Sequence, residues 1–167
     1  MEIAEPRPAV RIVCLDAQSR VLLLRWRDPF DGEHLWEPPG GGIEPAETSL
    51  DAARRELVEE TGLDPAAIDD RPVVVVARDV KWDGKRHVGH ESFFLARFAA
   101  DAPELSRLGL LKDEQENLRG HAWVGPAELP LLPDRLEPPE LPAILAALAP
   151  DGPWKPDRPR IEDSPRA

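Results

Sequence analysis

The chain is strongly acidic: its 167 residues include 32 acidic and 21 basic side chains, giving a formal net charge of −11, and a single cysteine. This charge argues against nonspecific nucleic-acid binding and against docking on anionic membranes, because basic surface supplies much of the affinity in both cases. No segment is apolar over the length that spans a bilayer, and the lone Cys14 can form no internal disulfide. We therefore expect a cytoplasmic protein without nucleic-acid or membrane partners.

The length and the even composition predict one globular domain over residues 1–149. Residues 150–167 are rich in proline and charge and have few apolar side chains. We expect this C-terminal tail to be mobile unless Trp154 docks on the domain.

Two apolar runs near the N-terminus predict a β-hairpin. Residues 10–15 and 21–26 are rich in aliphatic side chains and are separated by a short turn segment, Asp-Ala-Gln-Ser. Cys14 lies in the first run and is expected to fill the core. Farther along, the prolines and glycines of residues 38–42 predict a loop that continues no strand and starts no helix.

The next segment predicts a helix over residues 49–61, with Thr48 as its N-cap and Gly62 as its stop. A stripe of apolar residues should face the core, and three glutamates, Glu56, Glu59 and Glu60, fall together on a neighbouring arc. Like charges at this spacing repel one another, and a divalent cation would turn that repulsion into attraction because it prefers hard oxygen ligands. A solvated acidic helix face is the alternative.

The second half of the chain predicts further strands and two helices. A run of valines at residues 73–80 suggests a strand buried on both faces, followed by a polar hairpin loop at 81–89 and a strand at 90–98. A strand over residues 121–124 precedes a short helix that starts at Pro126. The final helix, residues 138–149, has an apolar stripe that would form either core or the interface of a homodimer: Leu141, Ile144, Leu145 and Leu148.

The segment from Gly41 to Leu63 resembles the Nudix box at every defining position. It has a glycine, five residues, a glutamate, seven residues, and then Arg-Glu-apolar-x-Glu-Glu-x-Gly-apolar. The matching residues are Gly41, Glu47, Arg55, Glu56, Leu57, Glu59, Glu60, Gly62 and Leu63. The resemblance implies an α/β Nudix fold, an α/β/α sandwich with a mixed β-sheet between helices.

The resemblance also implies roles for individual residues. Glu56, Glu59 and Glu60 would ligate Mg²⁺, or Mn²⁺, together with the carbonyl of Gly41, while Arg55 and Glu47 would pair to lock the loop onto the helix. Glu56 or Glu59 would be the catalytic base. A further acidic ligand or base is expected upstream of Trp123, with Glu114 ahead of Glu116, unless this stretch is only an acidic surface loop.

Residues for substrate binding are less specific. By the same resemblance, Arg25 and Arg27 would lie near the phosphates, although a surface arginine at a strand end is an equal alternative. Trp36 could stack on a base or anchor packing, and Trp82 is a second candidate for stacking.

The implied function is metal-dependent hydrolysis of the diphosphate linkage in a nucleoside diphosphate derivative or a nucleoside triphosphate. Two alternatives stay open: a Nudix-fold sensor that binds nucleotides without turnover, and an isoprenoid diphosphate isomerase, which would need a catalytic cysteine in a different place from Cys14. The sequence does not choose among an oxidised nucleotide, a nucleotide sugar, ADP-ribose and a diadenosine polyphosphate.

Overall fold

The computed structural model describes residues 1–71 and 74–155, and within those ranges the chain forms eight strands and three α-helices. The strands of the first half are β1 (Ala9–Leu15), β2 (Val21–Arg27), β3 (His34–Glu37) and β4 (Gly40–Gly42), and they precede helix α1 (Ser49–Thr61). The second half contains β5 (Val74–Trp82), β6 (Lys85–Arg97), α2 (Lys112–Asn117), β7 (Leu118–Val124), β8 (Arg135–Leu136) and α3 (Leu141–Leu148). Short 3₁₀ turns occur at Pro65–Ala67 and Leu129–Leu131.

All eight strands form one mixed sheet in the order β5-β6-β1-β2-β3-β8, with β4 added to β1 and β7 added to β2. β1 runs parallel to β6 along its whole length but meets β2 only at the pair Leu15 and Val21. The predicted hairpin is therefore present, yet its two strands diverge after the turn and each pairs with other neighbours. No helix in the described part of the chain is long and apolar enough to cross a membrane.

Each face of the sheet carries its own hydrophobic core. Under α1 the core contains Ala53 and Leu57 from the helix and Leu24 and Phe94 from the sheet, with Cys14 buried among them as predicted. On the other face, α3 buries its whole apolar stripe against sheet residues that include Val13 and Phe93. This stripe therefore forms core rather than an interface, and the predicted sandwich with a sheet between helices is confirmed.

Several predicted elements differ from the structure. Strand β5 is not buried on both faces: its residues alternate between partly buried and exposed, because within the described residues β5 pairs only with β6 and lies at the sheet edge. Residue 73, where this strand was predicted to begin, lies outside the described residues. The predicted loop 81–89 shrinks to a two-residue turn, Asp83–Gly84, because both residues adopt positive φ (50° and 72°), which suits a tight hairpin.

Two differences concern the end of the chain. The short helix predicted from Pro126 begins at Leu129 instead, after a turn. The predicted tail is anchored at its start, since Trp154 is buried and its Nε1 donates to the Ser19 carbonyl at 2.8 Å. Residues 156–167, the rest of the predicted tail, lie outside the described residues.

Asp16 organises the turn between β1 and β2. Its Oδ1 accepts from the backbone N–H groups of Gln18 and Arg20 at 3.0 and 2.9 Å, and its Oδ2 accepts from Arg20 Nε at 2.9 Å and the Ala102 N–H at 3.1 Å. Burial alone would raise the pKa of Asp16, but these donors outweigh it and hold the pKa below its usual range. The turn is therefore stabilised by the ionised carboxylate.

We expect Asp16→Asn to lower the free energy of unfolding at neutral pH by about 2 to 4 kcal/mol, because hydrogen bonds to a charged acceptor are lost and an amide N–H₂ meets donors. Since the folded pKa of Asp16 is depressed, its contribution is present above the unfolded pKa of about 4 and is lost as pH falls through the folded value. Urea unfolding of both proteins should therefore show a stability difference that shrinks below about pH 4. A difference that stays constant down to lower pH would contradict this account.

Candidate active site

Helix α1 forms as its sequence predicts. Thr48 caps it by accepting from the Asp51 N–H at 3.1 Å, and Gly62 ends it in the left-handed region, at φ 69°, while donating to the Val58 carbonyl. The helix buries Ala53 and Leu57 in the core. As a result Glu56 and Glu60 lie buried at the edge of that contact, with Glu59 more exposed.

The glycines before the helix form strand β4, so the prediction of a loop at 38–42 was wrong for residues 40–42. Gly42, Gly41 and Gly40 pair antiparallel with Ala9, Val10 and Arg11 of β1. A Cβ on Gly40 would overlap the Val10 carbonyl oxygen and lie 2.9 Å from the Arg11 Cα. A Cβ on Gly41 would lie 2.7 Å from the Glu56 carboxyl carbon. Glycine is required here for close approach rather than for a turn.

The second edge of β4 faces the side chains of α1. The Gly40 N–H donates to Glu60 Oε1 at 2.7 Å, and Arg55 Nη2 donates to the Gly42 carbonyl at 3.0 Å. Flanking bonds from Ile12 to the Pro39 carbonyl and from Ile43 to the Pro8 carbonyl set the antiparallel pattern. In that pattern the Gly41 carbonyl points at β1, whereas the Gly40 and Gly42 carbonyls lie on the open edge, and of these two the Gly42 carbonyl already accepts from Arg55.

Arg55 ties this strand to the loop that precedes the helix. Its Nε and Nη2 contact the two oxygens of Glu47 at 2.8 and 2.9 Å, a bidentate pair that lowers the pKa of Glu47 to about 2. Its Nη1 contacts Glu56 Oε1 at 2.9 Å and Glu59 Oε2 at 3.3 Å. Arg55 thus lies at the centre of an acidic cluster formed by Glu47, Glu56, Glu59 and Glu60. It contacts the carboxylates of the first three.

The glutamates of α1 are held in an environment that disfavours their charge. Burial, and then the neighbouring charge of Glu56, raises the pKa of Glu60 well above its usual range, against the opposing effect of Arg11. Burial likewise raises the pKa of Glu56, although Arg55 opposes it. Partly buried carboxylates crowded on one helix face match a hard divalent cation in donor chemistry and charge.

The candidate metal-binding oxygens do not already surround a single point. Across residues 1–71 and 74–155, no three His, Cys, Asp or Glu side chains form a ready-made metal-binding group. The carboxylates of α1 lie on one helix face beside the open edge of β4 with its Gly40 carbonyl, so they match a cation in donor type and in position. In this arrangement Arg55 neutralises part of their charge.

A cavity of about 210 Å³ opens beside this cluster. Its lining includes Glu60 and Gly40 together with Glu114 from α2, whereas Glu116 is exposed to solvent. Burial, and to a smaller extent Glu59, raises the pKa of Glu114, while the Leu111 N–H donates to its Oε1 at 2.9 Å and lowers it. Of the two predicted acidic residues, Glu114 is therefore the one that lies beside the α1 carboxylates.

The predicted substrate residues Arg25, Arg27 and Trp36 do not join this cavity. Arg25 pairs with Asp134 at 2.9 Å and lies over the Trp36 ring, 5.9 Å from its centroid, and Trp36 is buried in the core under α3. Arg27 lies two residues after Arg25 along β2 and therefore shares its face. The α1 carboxylates lie on the opposite face, so these three side chains are separated from them by the sheet.

Two other tryptophans line the cavity instead. Trp26 and Trp82 flank it, together with Glu37, Asp113 and Asn117. Trp82 was the second candidate in the sequence, whereas Trp26, Glu37 and Asn117 were missed. Strand alternation carried the signal for Trp26, since it must lie on the face opposite to Arg25, but the sequence does not tell which face α1 covers.

The family described as NUDIX domain matches residues 5–146. An RNA pyrophosphohydrolase of Erythrobacter litoralis is 34% identical over 114 residues, which are 62% of this chain and 68% of that protein. A putative 8-oxo-dGTP diphosphatase of Bacillus subtilis is 29% identical over 120 residues, 72% of this chain and 67% of the other.

A solved structure agrees with the fold. The MutT NUDIX hydrolase of Burkholderia pseudomallei superposes with a TM-score of 0.59 at 22% identity, covering 87% of this chain and 99% of that one. At this identity the similarity concerns the fold alone.

Proposed function

The chain belongs to the NUDIX domain family and is a MutT-like pyrophosphohydrolase, and we propose that it cleaves the diphosphate linkage of a nucleoside diphosphate derivative or a nucleoside triphosphate by attack of water at phosphorus. One observation supports this most strongly: the α1 carboxylates and the open edge of β4 lie together beside a cavity with aromatic walls. Family membership implies a divalent metal ion.

We propose that Mg²⁺, with Mn²⁺ as a substitute, is held by the carboxylates of Glu56, Glu59 and Glu60, by the Gly40 carbonyl in place of the expected Gly41, and by Glu114. Such a cation neutralises phosphate oxygens and makes a water molecule more acidic. Arg55 and Glu47 are positioning residues, because their bidentate pair and the bond to the Gly42 carbonyl hold β4 against the helix.

The general base is assigned to Glu59 rather than to Glu56. A base must reach the attacking water, and the side chain of Glu59 is 32% exposed whereas that of Glu56 is 11% exposed. Glu59 is therefore proposed both as a metal ligand and as the general base, whereas the other carboxylates bind the metal only.

Trp82 is the proposed stacking platform for the nucleobase, since this residue lines the cavity that Glu60 also lines. We expect Trp82→Ala to raise KM about tenfold with little change in kcat, because stacking on an aromatic side chain contributes roughly 1 to 3 kcal/mol per base. Trp82→Phe is the control, since it keeps an aromatic face and should keep most of the affinity. Steady-state kinetics that give the same KM for Trp82→Ala and the unchanged protein would exclude this role.

Substrate class is tested with a panel. Nucleoside triphosphates, an oxidised purine nucleotide, ADP-ribose, a nucleotide sugar, a diadenosine polyphosphate and a short RNA with a 5′-triphosphate are incubated with Mg²⁺, and the products are separated by chromatography. Turnover of one class would support the hydrolase and identify its substrate. Binding without turnover of any member would favour a nucleotide sensor.

A further inference from the structure

The loop between β2 and β3 is closed on itself around Asp28. The Asp28 N–H donates to the Glu33 carbonyl at 2.7 Å, and the Gly32 N–H donates to the Asp28 carbonyl at 2.9 Å. Asp28 is only 3% exposed, and its side-chain Oδ1 accepts from the Phe30 N–H at 2.9 Å. The loop thus holds one carboxylate in a fixed, buried position.

The same oxygen reaches a distant part of the chain. Asp28 Oδ1 also accepts from the Asp83 N–H at 3.1 Å, at the tip of the β5–β6 hairpin, 55 residues away. Two neighbouring contacts join the same segments: the Phe30 ring packs on Gly84, where an added Cβ would lie 3.0 Å from it, and Lys81 Nζ lies 3.9 Å from Asp31. The loop therefore holds the hairpin tip at three points.

This tip needs an anchor. Within the described residues β5 pairs only with β6, and the pairing ends at Trp82 and Lys85. On the β6 side this end is also joined to residues 2–4, since the Arg86 N–H donates to the Glu2 carbonyl at 3.0 Å and the Ala4 N–H donates to the Arg86 carbonyl at 2.9 Å. Within the described residues no strand lies beside the Asp83–Gly84 turn itself, which would be expected to fray without the contacts from the Asp28 loop. Trp82 is the last residue of β5, and it lines the same cavity as Glu60. Movement of the tip would therefore move one wall of the cavity.

A buried carboxylate joins two loops without destabilising the fold only when its oxygens accept hydrogen bonds or pair with positive charge. Burying an ionised oxygen costs free energy that only hydrogen bonds or paired charges recover. Asp28 recovers it from two backbone N–H groups, one in its own loop and one at the hairpin tip. An apolar side chain at this position could accept neither N–H group, and only the packing of Phe30 on Gly84 and the Lys81–Asp31 pair would then join the loop to the tip.

We propose that Asp28 is a positioning residue for substrate binding: through the Asp83 N–H it fixes the β5–β6 tip, and thereby keeps Trp82 at the wall of the cavity. This inference rests on the proposed role of Trp82 in nucleotide binding. Asp28 itself lies outside the cavity lining and does not touch the reacting groups.

The test uses the full chain and four variants. Asp28→Ala removes the acceptor, and Asp28→Asn retains an oxygen for both N–H groups. Phe30→Ala removes the exposed ring that packs on Gly84 without altering Asp28. Asp64→Ala is the matched control, because Asp64 Oδ1 accepts the Ala66 N–H at 2.9 Å in an equivalent local turn that does not line the cavity. The readouts are KM, kcat, the exchange rate of the Asp83 amide, and the Kd for a nucleoside diphosphate with a methylene bridge, which binds without being hydrolysed.

We expect Asp28→Ala to raise KM and this Kd about tenfold, to leave kcat within twofold, and to accelerate exchange at Asp83. Asp28→Asn should restore most of the affinity, Phe30→Ala should raise Kd about threefold, and Asp64→Ala should bind as the unchanged protein does. If Asp28→Ala fails to fold, the Phe30→Ala result decides the question. Faster exchange at Asp83 with an unchanged Kd would overturn the inference.

Adding Asp28→Ala to Trp82→Ala separates this inference from the proposed function. If Asp28 acts through Trp82, the double variant should bind no more weakly than Trp82→Ala alone. A further tenfold loss would overturn the inference, since Asp28 would then act by another route. If the Kd values change as expected but the unchanged protein turns over no substrate, the hydrolase proposal would be refuted. The positioning role of Asp28 would still be supported.

Discussion

Replacing Glu60 with Gln is expected to lower kcat by about 10³-fold, because a divalent ion on a transferring phosphoryl group supplies several kcal/mol and about 1.4 kcal/mol corresponds to a factor of ten. The free energy of unfolding, measured without divalent metal, should not fall. Gln retains the oxygen that accepts the Gly40 N–H, and it removes a buried negative charge beside Glu56. The variant therefore separates the metal-binding role from a structural one.

The matched control is Glu116→Gln, which removes an exposed carboxylate from α2. Its kcat and stability should match those of the unchanged protein. Equal turnover of Glu60→Gln and the unchanged protein, with Mg²⁺ present, would contradict the assignment of the site. A large loss of stability in Glu60→Gln would show instead that the carboxylate is structural.

Gly40→Ala is expected to destabilise the protein by about 3 kcal/mol or more and to abolish turnover. The added Cβ would overlap the Val10 carbonyl and crowd the Arg11 Cα, so β4 must separate from β1. That movement also withdraws the Gly40 N–H from Glu60. Urea unfolding and steady-state kinetics measure the two effects.

Gly120→Ala provides the control for this substitution. Gly120 also lies in a strand, β7, but an added Cβ there would meet no atom within 4 Å. We expect a change in unfolding free energy within about 0.5 kcal/mol and full activity. If the two variants were equally stable, the close approach of β4 and β1 would not be what requires glycine at position 40.

The sequence predicts α1 and the position of the glutamates along it well because their signals are local. The cap at Thr48, the stop at Gly62 and the helical spacing of the glutamates all lie within one short segment, and the structure has the same helix bounds. The arc of Glu56, Glu59 and Glu60 follows from helix geometry alone.

Strand β4 could not be predicted in this way. Glycine has a low intrinsic preference for strands, and the pairing partner of Gly40 is Arg11, far away in the sequence. The direction in which each carbonyl points depends on that pairing. It is the reason that the Gly40 carbonyl, rather than that of Gly41, is proposed as a metal ligand. The edge position of β5 is likewise a property of the assembled sheet, so its valines suggested burial on both faces.

The predicted substrate-binding residues illustrate a second limit. Alternation along β2 puts Arg25 and Trp26 on opposite faces, but only the packing of α1 and α3 decides which face carries the cavity. Asp28 resembles an ordinary turn residue in the sequence. Its contact with Asp83 is formed between two loops and leaves no periodic signal.

The most direct test of the account is the binding of Mn²⁺ by the unchanged protein and by Glu60→Gln, followed by electron paramagnetic resonance of the free ion. The account predicts saturable binding by the unchanged protein, binding weakened at least tenfold in Glu60→Gln, and unchanged binding in Glu116→Gln. Equal binding by all three proteins would place the ion elsewhere and contradict a metal site on α1.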